Sequence, residues 1–253
     1  MSGSKEKENS AARLLRIFTS ANQVPNSNGT GTTAWCQIFQ ITEAEERRKE
    51  RKVAMHLDAL HKEIELTATA LDNMGVPQHL HESTLHVLTE AISPAKLRNI
   101  WTLGVGQHDI VCLRFLAHIL DDEEELIAAA EIADLLQTVV DLRTQVAKAD
   151  LPTVLRDFLM KHLEAMEQAL ELYPVTGLAP VADAVEGLGG NAILREKQLD
   201  EAMTKTSSEQ KSLVAKIGKL ASTVTEVVKA ADTTSKFAGY VLEHVPKLLA
   251  LTH

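Results

Sequence analysis

The chain has 253 residues and a formal net charge of −9, from 26 Lys and Arg against 35 Asp and Glu. The hydrophobic set makes up 45%, charged residues 24% and aromatics 4%, and 34 Leu with 31 Ala dominate the composition. These figures exclude a collagen, a disulfide scaffold and a fully disordered chain, and they leave room for a core of one or two domains.

The dominant pattern is helical, and no convincing alternating strand is present. Residues Ala11 to Ala21 place Leu14, Leu15 and Phe18 on one face and predict a first helix. A polar loop follows from Asn22 to Thr32, and the β-branched stretch Thr30 to Ala34 reads as part of that loop. A short helix then carries Trp35, Cys36, Ile38 and Phe39 into the core.

Thr42 and Glu45 have the spacing of a capping box, which predicts a long helix over about 43–73. Its apolar positions, Val53, Leu57, Leu60, Ile64, Thr67, Leu71 and Met74, recur at 4-3 spacing as a heptad seam. Its first part, Glu43 to Lys52, is nearly all charge and reads as a solvated extension. Gly75 and Pro77 stop it. A helix with Leu85 and Leu88 follows over Ser83 to Ala91. Ser93-Pro94 then opens another that carries Leu97, Ile100 and Trp101.

Ile110 to Leu120 is apolar nearly all round, which predicts a buried helix. The five acids Asp121 to Glu125 read as the acidic start of the next helix. That helix has two apolar sets. One is Leu126, Ala129, Ala133, Leu136 and Val140; the other is Ile132, Leu135, Val139, Leu142 and Val146. Two faces predict a central position. A further helix runs from Asp150-Pro152 to about Tyr173-Pro174, with Leu155, Phe158, His162 and Met166 along one side. Pro180 to Leu188 predicts a short helix stopped by Gly189-Gly190.

The sharpest pattern lies at the C-terminus. Leu213, Ile217, Leu220, Val224, Val227, Ala231, Thr234, Ala238, Val241, Val245 and Leu248 keep the 4-3 spacing, and Val214, Ala221, Val228 and Leu242 widen the face. A face this broad must be covered by something. The segment from residue 205 onward carries a net charge of +3, against an acidic remainder.

These elements predict an all-α protein of about nine helices. It has an irregular helical body over 1–190 and an amphipathic, coiled-coil-like helical region over 191–253. Trp35, Phe39, Leu60, Ile64, Trp101, Phe115, Leu135, Val139, Phe158 and Leu163 are the expected core.

Little in the sequence points to catalysis. There is no HExxH, CxxC, nucleotide loop or nucleophile elbow. His79, His81 and His86 are weak metal-ligand candidates in a loose pattern, and no cofactor is expected. Cys36 and Cys112 cannot form a disulfide framework and read as small core residues, with His108 four residues before Cys112. The acidic balance argues against a nucleic-acid platform, and the basic run at Arg47 to Lys52 is interleaved with Glu. The polar start lacks a signal-peptide core, and no stretch reaches the ~18 apolar residues of a membrane span, so the expected location is the cytoplasm.

The expected function is therefore non-enzymatic: a helical interaction or scaffold protein that binds a protein partner, or a second copy, through an amphipathic face. The expected partner-binding residues are Leu213, Ile217, Leu220, Val224, Val227, Val241, Val245 and Leu248. An alternative is a membrane-active effector whose helix over about 210–250 lies on a bilayer. A second alternative is a helical metal-dependent enzyme.

Overall fold

The computed structural model describes residues 7–26 and 29–233. Among them the protein is all-α, with ten α-helices, two 3₁₀ turns and two two-residue extended segments. The chain divides into two compact units. An N-terminal unit comprises Lys7–Glu123 with Pro174–Thr176, and a C-terminal unit comprises Glu124–Tyr173 and the described residues from Gly177 to Thr233. The division falls after Glu123.

The N-terminal unit contains α1 (Ser10–Gln23), α2 (Gly31–Ile38), α3 (Glu46–Asn73), α4 (Glu82–Ala91) and α5 (Gln107–Ile119). Helix α1 packs on α5 and α3, and α3 also carries α2 and α4. Asn9 fixes the first of these contacts. Its Oδ1 accepts from Ala12 N at 2.9 Å and caps α1, while its Nδ2 donates to Ala117 O and Leu120 O at the far end of α5. One side chain thus satisfies groups at two helix termini.

The core of this unit is aromatic at one end. Trp35 meets Phe18 and Trp101 edge-on and stacks on Phe39, with ring centroids at 6.4, 5.4 and 5.2 Å. The predicted α3 seam is buried from Val53 to Leu71, but Met74 lies past the helix end and is half exposed. The buried face also includes His56 and Glu63.

Several expectations are corrected here. Helix α2 begins at Gly31 with Thr30 as its cap, so Thr30 to Ala34 is not loop. The Thr42–Glu45 capping box does not form: Glu45 pairs with Arg48 and Glu43 with Lys52, and the helix starts at Glu46 without a side-chain cap. Ser93-Pro94 opens only the 3₁₀ turn Pro94–Lys96. Beyond it the chain supplies Leu97 O and Asn99 O to the first amides of α2, and Trp101 N–H donates to Gly29 O. These long-range bonds take the backbone that a helix would have used.

The C-terminal unit contains α6 (Ala129–Lys148), α7 (Thr153–Thr176, whose last turn is assigned to the other unit), α8 (Ala179–Leu194), α9 (Glu196–Met203) and α10 (Ser208–Ala231). The acidic run does not start α6. Glu123 turns to Arg13, Glu124 is buried and accepts from Leu178 N at 2.6 Å, and the helix begins only at Ala129. Helix α6 buries one apolar set, Ile132, Leu135, Val139, Leu142 and Val146, while Ala129 and Ala133 face solvent. Helix α7 buries one broad face, with Leu155, Phe158, Leu159, Leu163, Met166 and Leu170 inside, while Val154, Asp157, Lys161 and Glu164 face solvent. It runs through Pro174 and ends at Gly177, which holds a φ of +66°. Gly189-Gly190 does not stop α8. Leu188, Gly189 and Ala192 are buried, and that packing outweighs the ~1 kcal/mol that a helical Gly costs.

Helix α10 packs on α6 and α8. Its start is tied by Gln210 Nε2 donating to Asp150 O, just past the end of α6. Its end bridges Asp232 to Glu124, ahead of α6. The two helices therefore run antiparallel.

Candidate functional site

The predicted interaction seam divides into two parts. Leu213, Ile217, Leu220 and Val224 are between 1% and 7% exposed and belong to the core of the C-terminal unit, with Val227 partly buried against it. The widening row, Val214, Ala221 and Val228, is buried with them. The described half of the seam is covered by the unit itself. Val241, Val245 and Leu248 lie outside the described residues.

Among the described residues, the helix face that holds two large apolar side chains in solvent is on α5. At 100° per residue, Gln107, His108, Val111, Arg114, Phe115 and His118 fall within an arc of about 120°, and all six are exposed. Ile110, Leu113 and Leu116 occupy the opposite side and are buried. Val111 is 53% exposed and Phe115 54%, so α5 is not buried all round and Phe115 is not core. Of the other expected core residues only Phe39 falls short, half buried beside Trp35. The outward arc was readable in principle: His108, Arg114 and His118 mark it, with Val111 and Phe115 between them.

The turn before α4 extends this surface. Cys112 Sγ donates to Leu80 O at 3.6 Å, which places the 3₁₀ turn Gln78–Leu80 beside α5, and Leu80 is 50% exposed. Val111 and Phe115 form an apolar strip along α5, and Leu80 lies in the neighbouring turn. Arg114 and His118 edge it on one side. Neither they nor His108 make a hydrogen bond or ion pair with the described residues.

The histidine candidates are not gathered. His79 and His86 are exposed, while His81 is buried, with Asp72 Oδ1 at 4.0 Å and no hydrogen bond to either ring nitrogen. Among the described residues no group of three or more His, Cys, Asp or Glu is placed to hold a metal. His162 lies in the core against Phe158, centroids 4.7 Å apart. Burial, with a smaller effect of the Lys161 and Arg195 charges, lowers its pKa to about 4, so it is a neutral core histidine at pH 7. Burial pushes the Cys36 thiol up, opposite to what a thiolate nucleophile needs. An open groove of about 430 Å³ lies among Thr32, Glu50, Ala54, Pro94, Ala95, Leu97 and Arg98. Its only oppositely charged groups, Glu50 and Arg98, face each other at 4.0 Å. Among the described residues no helix is long and apolar enough to cross a membrane.

Comparison with family models, curated proteins and solved structures found no match to this chain.

Proposed function

We propose that the protein acts by binding another protein, as a helical interaction module, and that the outward face of α5 is its contact surface. The observation that carries this reading is the exposure of Val111 and Phe115 on a helix whose other face is fully packed. An aromatic and a β-branched residue at i, i+4 present a ridge of the kind that helix-binding surfaces use. Aromatic residues and Arg are also types enriched at protein interfaces. The buried seam on α10 supports the same assignment, because its side chains already have partners inside the unit.

The test is photo-cross-linking in a native extract, from a photoreactive residue at His118 of the full chain. The expected result is a discrete protein adduct. It disappears in the Val111→Ser/Phe115→Ser variant and persists when exposed Leu194 is changed to Ser. Adducts that ignore the α5 substitutions would overturn the assignment.

A further inference from the structure

Resting on that reading, we infer that the partner segment is an acidic amphipathic helix. The shape of the surface fixes the first half of this statement. α5 offers 13 residues, about 20 Å at 1.5 Å per residue. Along this length Val111 and Phe115 form a ridge, and the turn that holds Leu80 lies beside the helix. A partner helix laid along the ridge covers both side chains with an i, i+3, i+4 apolar stripe of its own.

The charges fix the second half. The chain is acidic overall, at −9, yet the six outward positions of α5 contain one Arg, two His and no acid. The helix's one acid, Asp109, is turned inward to its own terminus, where it accepts from Gly106 N at 2.9 Å and from Thr84 Oγ1 at 3.3 Å. Some bases on α3 and α6 are met from within the chain: Arg48 by Glu45, Lys62 by Asp58, Arg143 by Glu167. Arg114 has no such partner among the described residues. A carboxylate on the rim of the incoming helix would supply it, and rim charges set specificity and association rate.

The same charges disfavour the other occupants. A second copy docked face to face about a two-fold axis brings Arg114 and the histidines of both copies together. An anionic membrane calls for a cluster of ~4–8 basic residues, and this face has one permanent cation.

The experiment uses the full chain and two synthetic helical peptides with the same Leu/Phe stripe. One is flanked by Glu and the other by Lys at those same positions. Fluorescence anisotropy reads binding, and hydrogen exchange at 107–118 reads its location. The Glu peptide is expected to bind and protect α5, and the Lys peptide is not. Phe115→Ala weakens binding by at least ~10-fold, and circular dichroism confirms that the variant is folded. Arg114→Glu reverses the preference between the two peptides, which no loss of fold could do. Equal binding of both peptides, binding that survives Phe115→Ala, or no binding of either overturns the inference. So does α5-dependent binding to phosphatidylserine vesicles, or a dimer in light scattering that Phe115→Ala abolishes. A partner adduct from the photo-cross-linking experiment, with no preference for the Glu peptide, would leave the contact surface standing and remove only the acidic-helix assignment.

Discussion

Arg13 Nε and Glu63 Oε2 meet at 3.0 Å inside the N-terminal unit, with 3% and 2% of their side chains exposed. The same guanidinium donates from Nη2 to Glu123 at 2.7 Å, so one residue of α1 ties α3 to the segment after α5. A buried pair is weak as a source of net stability, but losing one member strands the other charge. Arg13→Met and Glu63→Leu should each cost about 3–5 kcal/mol in urea unfolding. The double variant should recover most of that loss, which separates a stranded charge from lost packing.

Helix α10 gives the second prediction. Ile217 is 1% exposed in the core shared with α6 and α8. Ile217→Ala should destabilise the C-terminal unit by about 2–5 kcal/mol, the range for a buried Ile reduced to Ala. Light scattering should show the same solution mass as the parent chain, because the side chain packs within its own unit.

The two classes of glycine should respond in opposite directions. A Cβ on Gly31 would lie 2.5 Å from Lys96 O, where the chain donates Gly31 N–H to Asn99 O. Gly31→Ala should destabilise by about 1–3 kcal/mol through that clash. Gly187 lies inside α8, where a Cβ meets nothing within 4 Å. Gly187→Ala should stabilise by about 0.5–1 kcal/mol, by restricting the unfolded chain and favouring the helix. Thermal unfolding of the two variants checks both signs.

His162 sets a pH dependence. Burial lowers its folded pKa to about 4, against 6.5 in a free chain. Below 6.5 the unfolded chain takes up the proton first, so stability falls as pH drops from 6.5 towards 4 and this contribution levels off below 4. The loss from this one group approaches about 3 kcal/mol. Above about pH 7.5 the group contributes almost no slope. Comparing the parent with His162→Leu isolates the effect: the difference in stability between them should change across this window and stay nearly constant above about pH 7.5.

The helical class was legible because period and caps are local. The α3 seam from Val53 to Leu71 and the α10 seam from Leu213 to Val224 are both buried, since a 4-3 stripe has one face to hide. What the sequence did not carry was the identity of the covering element. The α10 stripe is covered by α6 and α8 of its own unit, a fact of long-range packing rather than of spacing. The same limit explains Ser93-Pro94, where a good helix start yields one turn because the first amides of α2 draw on Leu97 O and Asn99 O. The α5 surface was obscured for a different reason. An apolar run reads as buried all round until the polar residues His108, Arg114 and His118 are plotted on the wheel and mark its outward side.

Helix α10 belongs to the interior of its own unit, and the proposed contact surface lies on α5. Native-state hydrogen exchange on the full chain, at two protein concentrations, tests the placement of α10 most directly. The amides of 213–231 should exchange as slowly as those of 155–172, and both sets should be indifferent to concentration. Fast exchange in α10 that slows as protein concentration rises would contradict that placement, because the seam would then be covered by another copy and not by α6 and α8.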